Sequence, residues 1–351
     1  MLPKVAVIYL CYNTRHYLDD VFASVKQLNY PKEKLEIIAV DNDSQDGSPE
    51  WFRQQKGITF MPSGSNLGFA EGNNLGMNHA ILDGCKYVYL LNGDAKLDQD
   101  AIMEAVELAE SNKKIGAVQS RIMLWKTPNV VNVTGGMVNF LGFGFARDNG
   151  RRWEEVKKEV TDGEEIAYAS GAAVLFRSSV LKNVGLLESF YFMYHEDLEL
   201  GWRIRLAGYK NVLSTKSIAF HDYEFRRSIK KFYWMERNRV LVHFSHLKWS
   251  TLALLAPIML ASELGLLMFA FRGGWLKEKV LVWFNLLSPS VWKHVRTKRK
   301  ESTLLRTVSD KEIVRHWTAK IDHQETQSPI VDKLINPTLS LIWSILKHLI
   351  R

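Results

Sequence analysis

The sequence is poor in cysteine and has no regular spacing of cysteine with histidine. Its two cysteines, Cys11 and Cys85, lie in or near apolar runs. A disulfide framework needs several cysteine pairs, and a structural zinc site needs about four ligands at fixed spacings. A chain with only two cysteines therefore has neither kind of site. We interpret them as small buried hydrophobic residues of a protein made in a reducing compartment.

Two other classes of protein lack their signatures here. The stretch MLPKVAVIYLCYN has too short an apolar run for a signal peptide, and we expect it to form the first strand. The interleaved basic and aromatic residues of nucleic-acid-binding surfaces are missing, so we expect no nucleic acid partner.

Acidic residues are scarce between Arg272 and Lys300, where eight Lys and Arg residues accompany Glu278 alone in a chain of net charge +8.

That basic segment lies beside the most apolar part of the chain. Residues 251–271 have the length of about 20 residues that a membrane span needs, but they include Pro257 and Glu263, and a charge at mid-membrane is costly. A spanning helix, an in-plane amphipathic helix, a broken re-entrant pair and a buried core helix all remain open. The adjacent cations favour an anionic membrane surface. We predict a helical, basic, membrane-associating region over residues 248–351, preceded by a basic, aromatic helix over 228–246.

Short apolar runs alternate with helix-like spacings in the first third of the chain. The apolar runs are residues 5–11, 35–40, 58–61, 87–91 and 117–123. Their alternation with amphipathic segments predicts a mainly parallel sheet with helices on both faces. Residues 125–165 then become rich in glycine and aromatic residues, which we interpret as a functional loop.

Polar side chains follow several of these apolar runs. They are Asp41 and Asp43 in VDNDSQDGS, Asp94 in LLNGDA and His221 in IAFHD. Ligands of open α/β sheets bind at the carboxyl ends of the strands, so we expect one cleft there. A carboxylate and an imidazole suit Mg²⁺ or Mn²⁺ whose other ligands are substrate phosphates and water. We predict that Asp94 and His221 hold such an ion, although a histidine at a strand end is more often structural.

Two further stretches offer groups for binding and catalysis. In NLGFAEGNN, Gly68 and Asn74 lie near the start of a predicted helix, whose donors suit a phosphate or a sugar. In YHEDLELGW, Glu196 and Asp197 open another helix, where carboxylates suit the positive end of the helix dipole. Because aromatic residues flank this pair, we interpret Asp197 as a base for a hydroxyl group, with Glu196 as the second candidate.

Taken in order, six motifs resemble the family 2 glycosyltransferases, most closely their rhamnosyltransferase-like branch. The motifs are VDNDSQDGS, NLGFAEGNN, LLNGDA, SGAAVLFRSSVLKNVG, YHEDLELGWRIRLAGY and AFHD. The resemblance covers about residues 3–246 and implies a Rossmann-like GT-A fold, with a catalytic domain over 1–247. It also implies a UDP- or dTDP-sugar donor and a divalent cation, Mg²⁺ or Mn²⁺.

The resemblance assigns roles to the candidate residues. It implies that Asp41 meets the nucleoside, that Asp94 and His221 meet the metal, and that Asp197 activates the acceptor hydroxyl. The candidate donor-binding residues are Tyr12, Asp41, Asp43, Gly68, Asn74 and Asn92.

The chain departs from the family pattern at two places. The Asp-x-Asp signature is Asn92-Gly93-Asp94 here, and relatives often carry Asn-Pro-Asp, so we expect Gly93 to loosen this turn. The Gln-x-x-Arg-Trp motif of processive synthases is missing, and the chain has only Glu236-Arg237-Asn238-Arg239. We therefore expect single transfers and not polymerisation.

The expected activity is that of a metal-dependent, inverting glycosyltransferase at the cytoplasmic face of the cell membrane. It would move one sugar, such as rhamnose, to a hydroxyl of a lipid-linked or cell-surface polysaccharide acceptor. Two alternatives stay open. A nucleotidyltransferase would share the nucleoside-binding half but release diphosphate, and an inactive nucleotide-sugar-binding protein would release nothing.

Overall fold

A mixed sheet organises the part of the chain that the computed structural model describes, which is residues 2–223, 229, 231–321 and 329–351. The strands are β1 Val5–Cys11, β2 Leu35–Asp41, β3 Thr59–Pro62, β4 Tyr87–Asn92, β5 Ala95–Leu97, β6 Ile115–Leu124, β7 Val131–Val133, β8 Gly136–Asn139, β9 Gly144–Ala146, β10 Glu165–Ile166, β11 Ala173–Arg177, β12 Lys210–His221 and β13 Trp317–Thr318.

Helices cover both faces of this sheet and form most of the C-terminal part. They are α1 Arg15–Lys26, α2 Ser48–Arg53, α3 Gly68–Leu82, α4 Ala101–Ser111, α5 Trp153–Val156, α6 Ser178–Val184, α7 Glu196–Leu206, α8 Lys231–His246, α9 Trp249–Arg272, α10 Leu276–Leu286, α11 Pro289–Leu305, α12 Asp310–Val314 and α13 Asn336–Leu349. Short 3₁₀ turns occupy Lys32–Lys34 and Ser189–Tyr191, and a π-helical turn, Val331–Ile335, precedes α13. The predicted start of α8 at Ser228 lies outside the described residues.

The strand order is β10-β12-β6-β11-β4-β1-β2-β3, with β5 pairing with β12 and β7 pairing with β6. The pairs β1–β2, β1–β4, β2–β3 and β6–β12 are parallel, as the alternating pattern predicts. Strand β11 lies antiparallel between β4 and β6 and makes the sheet mixed. A small second sheet has the order β13-β8-β9.

The central strand shows why the sequence forms a sheet covered on both faces. All seven residues of β1 are buried. Because side chains alternate along a strand, Val5, Val7 and Tyr9 pack with α1, α2 and α4, whereas Ala6 and Ile8 pack with α3, α6 and α7. A strand buried on both faces reads as one continuous apolar run, which is the pattern of residues 5–11.

The interpretation of residues 125–165 as a loop was wrong. This stretch contains β7, β8, β9 and α5: β7 extends the main sheet beside β6, and β8 pairs with β9 and β13. Strands of three or four residues are too short to show a period-two pattern, and their pairing depends on distant partners. The glycines and aromatic residues of this stretch therefore belong to short strands and tight turns.

The C-terminal helices share a core with the sheet domain. One apolar cluster joins Phe140, which follows β8, and Trp202 of α7 to Leu255 of α9 and Trp343 of α13. The rings of Phe140 and Trp343 stack with centroids 5.0 Å apart. The boundary at residue 247 is therefore a proposed division of function, and the packing is continuous across it.

Glu199 of α7 lies at the centre of a buried ion network that joins three helices. Arg203 donates two hydrogen bonds to its carboxylate, at 2.8 and 2.6 Å. His246 of α8 contacts the same carboxylate at 2.9 Å, and its other ring nitrogen lies 2.6 Å from Ser302 Oγ of α11. Burial alone would raise the pKa of Glu199, but the charge of Arg203 and the contact with His246 hold it well below its ordinary value.

We expect Glu199→Gln to lower the free energy of unfolding by about 3–5 kcal/mol, because Arg203 would be left buried without its counter-charge. Chemical denaturation at neutral pH measures this difference. A depressed pKa stabilises the fold above the ordinary glutamate pKa of about 4.3, and this contribution is lost as the pH falls. The difference in the free energy of unfolding between wild type and variant should therefore become smaller at acidic pH.

The matched control is Glu50→Gln, which removes the exposed partner of Arg53. It should change stability by less than about 0.5 kcal/mol. A Glu199→Gln variant as stable as this control would show that the network does not support the fold.

Candidate active site

The carboxyl ends of β1, β2 and β4 meet along one edge of the sheet. Cys11 pairs with Asp41, and Leu10 pairs with Asn92, so the residues that follow these strands lie side by side. Tyr12 is 49% exposed at the end of β1. Asp43 is also exposed and has a left-handed backbone, with φ of 70°. The structure thus brings Tyr12, Asp41, Asp43 and Asn92 to the same edge.

Asp41 carries an unsatisfied oxygen at this edge. Its side chain is buried, and its Oδ2 accepts a hydrogen bond from the Ser44 backbone N–H at 3.2 Å. Its Oδ1 is buried and has no hydrogen-bond partner in the described part of the chain. A buried carboxylate oxygen without a donor is costly, so this atom suits a ligand that brings a hydroxyl or an N–H group.

Asp94 and His221 come together through a strand pairing that is distant in sequence. Asp94 lies in the turn between β4 and β5, and Ala95 of β5 pairs with His221 of β12. Asp94 Oδ1 and His221 Nε2 are 3.0 Å apart. The sequence predicted both residues as ligands, and the structure places them in contact.

The surroundings of His221 favour a metal ligand. Its Nδ1 lies 3.0 Å from Asn132 Oδ1, and Asn132 Nδ2 donates to Asn149, which orients the amide oxygen toward the ring. A neutral ring therefore donates through Nδ1 and turns the lone pair of Nε2 toward Asp94. Two neighbouring ligands of an octahedral ion, each about 2.1 Å from it, are themselves about 3 Å apart, as observed.

Another cluster of possible metal ligands has a simpler explanation. Within the described residues, the one group of three such side chains is Glu36, Asp83 and Cys85. Lys4 forms ion pairs with both of its carboxylates. These residues form a surface ion-pair cluster on the side of the sheet away from the strand ends that carry Asp41 and Asp94.

The turn that carries Asp94 is tight, contrary to the expectation for Gly93. The Gly93 carbonyl accepts a hydrogen bond from the Tyr9 hydroxyl at 2.7 Å. A Cβ at Gly93 would lie 2.8 Å from Thr14 Cγ2 and 3.0 Å from the Leu10 carbonyl. Glycine is therefore required by close packing, and the turn is not loosened.

Glu196 and Asp197 begin α7 and differ in how their charge is satisfied. Asp197 accepts hydrogen bonds from the backbone N–H groups of Gly171 at 3.1 Å and Leu198 at 2.7 Å. Glu196 is buried, and its Oε2 has no partner among the described residues. Burial raises the pKa of both groups, and the neighbouring Asp197 raises that of Glu196 further. The negative charge of the pair therefore resides on Asp197, because it has the hydrogen-bond donors.

Gly171 is the contact through which the SGAA motif reaches this pair. A Cβ at Gly171 would lie 2.9 Å from the ring of Phe69. The backbone therefore passes close to Phe69 at this position, and it places an N–H against the Asp197 carboxylate.

The segment before α7 has an unusual backbone that the sequence does not predict. Three of its residues have left-handed angles: Phe192, Tyr194 and His195, with φ of 62°, 64° and 69°. Such angles cost about 1–3 kcal/mol each in non-glycine residues, so surrounding contacts must hold them.

Asn238 of α8 supplies much of that support. The two N–H groups of its buried side-chain amide are shared among the backbone carbonyls of Tyr191, Met193 and Tyr194, at 3.0, 3.0 and 2.8 Å. Its own oxygen accepts from Arg237 at 3.0 Å. The Glu-Arg-Asn-Arg segment, singled out in the sequence only for lacking another motif, therefore positions the acidic pair.

Gly68 and Asn74 form hydrogen bonds within the protein and do not line the cavity described below. The first N–H groups of α3, those of Phe69 and Ala70, donate to the Phe192 carbonyl. Asn74 Nδ2 donates to the Leu187 carbonyl at 2.8 Å, and its Oδ1 accepts from the Leu187 N–H at 3.1 Å. The donors expected to bind a phosphate or a sugar are therefore used inside the protein.

Four of the predicted residues line a cavity of about 360 Å³. They are Asn92, Glu196, Asp197 and His221, whereas Asp41 and Asp94 are not among its lining residues. Phe69 contributes to its wall. A substrate in this cavity would lie against both the Asp197 carboxylate and His221, the partner of Asp94.

Comparison with known sequences agrees with this geometry. The profile described as "Glycosyl transferase family 2" matches residues 6–185, just over half of the chain. The poly-beta-1,6-N-acetyl-D-glucosamine synthase of Staphylococcus aureus (strain COL) is 27% identical over 212 residues, which cover 60% of this chain and 47% of that protein. The synthase of the same name from Staphylococcus epidermidis is 27% identical over 209 residues, 59% of this chain and 47% of its own length. The chain thus spans about half the length of these relatives.

Solved structures show the same fold at low identity. A mannosyltransferase from Pyrobaculum calidifontis in complex with GDP-Man and Mn²⁺ has a TM-score of 0.53 at 18% identity, covering 87% of each chain. TarS 1-349 of S. aureus in complex with UDP-GlcNAc has a TM-score of 0.52 at 13% identity, covering 92% of this chain and 95% of that one. These likenesses confirm the expected GT-A fold.

We expect Asp94→Ala to weaken UDP binding at least about tenfold when Mn²⁺ is present, and to leave UDP binding unchanged in EDTA. The reason is that Asp94 would act on UDP only through a metal ion bound to both. Isothermal titration of the full chain with UDP, with and without Mn²⁺, measures both values. Asp83→Ala, in the surface ion-pair cluster, is the matched control and should behave as wild type. Equal losses with and without Mn²⁺ would mean that Asp94 contacts the nucleotide directly.

Proposed function

The chain belongs to glycosyl transferase family 2, and from this we propose that it is a metal-dependent, inverting glycosyltransferase. It would move one sugar from a nucleoside-diphosphate sugar to a hydroxyl of an acceptor. The observation that carries the proposal is that one cavity is lined both by Asp197 and by His221, which contacts Asp94. A leaving diphosphate and an attacking hydroxyl need these two kinds of group on opposite sides of the sugar.

In this mechanism Asp197 is the base. Its carboxylate accepts the proton of the acceptor hydroxyl as the oxygen attacks the anomeric carbon. The bond from that carbon to the diphosphate oxygen breaks on the opposite face, and the nucleoside diphosphate leaves, so the configuration is inverted. The N–H groups of Gly171 and Leu198 orient the carboxylate and keep the charge of the acidic pair on Asp197.

The other predicted residues serve the donor. Asp94 and His221 would hold Mg²⁺ or Mn²⁺, which when bound neutralises the charge that develops on the diphosphate. Asp41 would accept from the nucleoside through its unsatisfied Oδ1, and Tyr12, Asp43 and Asn92 share its edge of the sheet. We propose a UDP- or dTDP-sugar as donor, with rhamnose among the sugars to be tested.

We propose a single transfer to a lipid-linked or cell-surface acceptor. The curated relatives carry the name of polymer synthases. This chain has Glu236-Arg237-Asn238-Arg239 and no Gln-x-x-Arg-Trp motif. Its Asn238 supports the backbone before the acidic pair.

A panel of nucleotide sugars incubated with Mn²⁺ tests the activity. We expect release of the nucleoside diphosphate with at least one donor, and no release after chelation. Asp197→Asn keeps size and hydrogen bonding but removes the basicity, so turnover should fall by about 10²–10⁴-fold with donor binding retained. Asp20→Asn, an exposed aspartate on α1, is the control.

The products separate the alternatives. Release of inorganic diphosphate instead of the nucleoside diphosphate would identify a nucleotidyltransferase. Wild-type turnover by Asp197→Asn would remove Asp197 as the base and make Glu196 the next residue to test.

We also propose that the C-terminal helices bind the cytoplasmic face of the cell membrane. Among the described helices, α9 is the one long and apolar enough to cross a membrane by length and composition, and little of it is buried. One stripe of α9 exposes Leu260, Leu264, Met268 and Phe271. The exposed cations nearby are Arg272, Lys277, Lys293, Arg296 and Lys300.

Two residues of this C-terminal region, one basic and one aromatic, belong to the interior of the protein. Lys279 is buried and forms ion pairs with Glu236 and Glu263. Trp275 is buried and stacks on Phe232 with ring centroids 4.7 Å apart.

Contacts of Glu263 favour helix α9 lying in the plane of the membrane surface. Glu263, near the middle of the helix, pairs with Arg239 of α8 at 2.7 Å and with Lys279 of α10 at 2.8 Å. A helix bound to the catalytic domain at its middle cannot also cross a bilayer away from that domain. The helix is continuous through Pro257 and ends at Arg272, and the next apolar helix, α10, begins at Leu276.

Flotation with lipid vesicles tests membrane binding. We expect the full chain to float with vesicles of mixed phosphatidylcholine and phosphatidylglycerol, and less with phosphatidylcholine alone or in high salt. Leu264→Asp should abolish flotation, because a charge on this stripe opposes insertion. Leu82→Asp, on an exposed leucine of α3, is the control. Equal flotation of all three proteins would contradict the proposed surface.

A further inference from the structure

An apolar groove of about 400 Å³ adjoins the catalytic cavity. It lies between α8, α9 and α13. Gly144, His195 and Met235 line both the groove and the cavity. The two spaces therefore share a wall, and His195 stands two residues before Asp197.

The walls of the groove suit a hydrocarbon. Its other lining includes Leu141, Phe143, Ile258, Leu266, Trp275 and Leu339. The charged residues beside it are engaged with each other: Arg239 contacts Glu236 at 3.1 Å, and Lys279 contacts Glu236 at 2.6 Å. Burial lowers the pKa of His195 to about 4, so the His195 ring adds no charge to the groove at neutral pH. A polar ligand would find few partners here, whereas an apolar chain would lose contact with water.

The position of the groove places it on the acceptor side. Its lining contains no residue of β1, β2 or β4, which carry Asp41 and Asn92 on the donor side. It shares His195 with the cavity that Asp197 lines, where the acceptor hydroxyl must lie. Its other walls belong to α9 and α13, which expose Leu264 and Met268 on one helix and Leu341 and Ile345 on the other. The helices that wall the groove thus also carry exposed apolar residues, and the groove adjoins the cavity that holds the catalytic base.

We propose that this groove binds the hydrocarbon chain of a lipid-linked acceptor and delivers its hydroxyl group to Asp197. The inference rests on the proposed glycosyltransferase function. It narrows the acceptor to one that carries a long alkyl or prenyl chain, because a free polysaccharide has no apolar part to fill the groove.

Gly265 offers a precise way to block the groove. It lines the groove from α9, and a Cβ built there meets no atom within 4 Å. Gly265→Phe should therefore fill the groove without displacing a neighbour, and replacing a helical glycine raises helix propensity. Ala253→Phe adds the same side chain at an exposed position of α9 outside the groove and is the matched control.

The probe is dansyl-undecanoic acid, titrated into the full chain and followed by fluorescence. Wild type and Ala253→Phe should bind it with saturation. Gly265→Phe should weaken binding by about tenfold or more, because each methylene kept out of the groove loses its burial. Unlabelled prenyl phosphate should displace the probe from wild type. Phosphatidylcholine vesicles should displace less, which separates an acceptor-like chain from bulk lipid.

Three outcomes would overturn the inference: equal probe binding by Gly265→Phe and wild type, loss of binding in Leu264→Asp alone, or displacement by vesicles but not by prenyl phosphate. Gly265→Leu serves as the second variant if thermal denaturation shows that Gly265→Phe fails to fold. Nucleotide-sugar hydrolysis should be the same in all these proteins. If the proteins hydrolyse a nucleotide sugar but Gly265→Phe binds the probe as wild type does, only the proposed role of the groove is rejected. If wild type binds the probe but hydrolyses no donor, the glycosyltransferase function is rejected.

Discussion

The strained backbone of residues 192–195 is the constraint on which both carboxylates of α7 depend. It must turn sharply so that Asp197 meets the Gly171 N–H and enters the cavity. Left-handed angles in non-glycine residues are unfavourable by themselves, so the segment keeps this shape only because other elements hold its carbonyl groups. The first N–H groups of α3 hold it from one side, and the Asn238 amide of α8 holds it from the other. The catalytic geometry is therefore shared between the sheet domain and the C-terminal helices.

Because both the sheet domain and helix α8 support the segment before α7, the C-terminal helices pack against the sheet domain as part of one enzyme. Glu199 joins α7 to α8 and α11, and Glu263 joins α9 to α8 and α10. These buried ion pairs are costly to desolvate and need close geometry, which fixes the helices relative to the cleft. A membrane surface bound by α9 would then hold the cavity at a fixed orientation to the lipid. The groove beside α9 opens toward the acceptor side in that arrangement.

Some parts of the fold and the site were readable from local sequence. Strand β1 was predicted because its residues form one continuous apolar run. Asp41, Asp94 and His221 were found because each follows a strand-like run. The short strands β7 to β9 were missed, since three or four residues show no clear period. Asn238 was missed as a positioning residue, because a single asparagine within a helix carries no local signal.

The sequence by itself determined the alternation of strands and helices, the edge where the acidic residues gather, and the family. These features depend on residues close together in the chain, whose periodicity and order are visible without coordinates. Only the tertiary structure decided that Gly68 and Asn74 serve packing, that Lys279 and Trp275 are buried, and that Glu263 is paired. Whether a donor is available to a ligand depends on what lies across the fold from it. Asn74 meets Leu187, and Glu263 meets Arg239, through contacts between segments far apart in sequence, which no local pattern encodes.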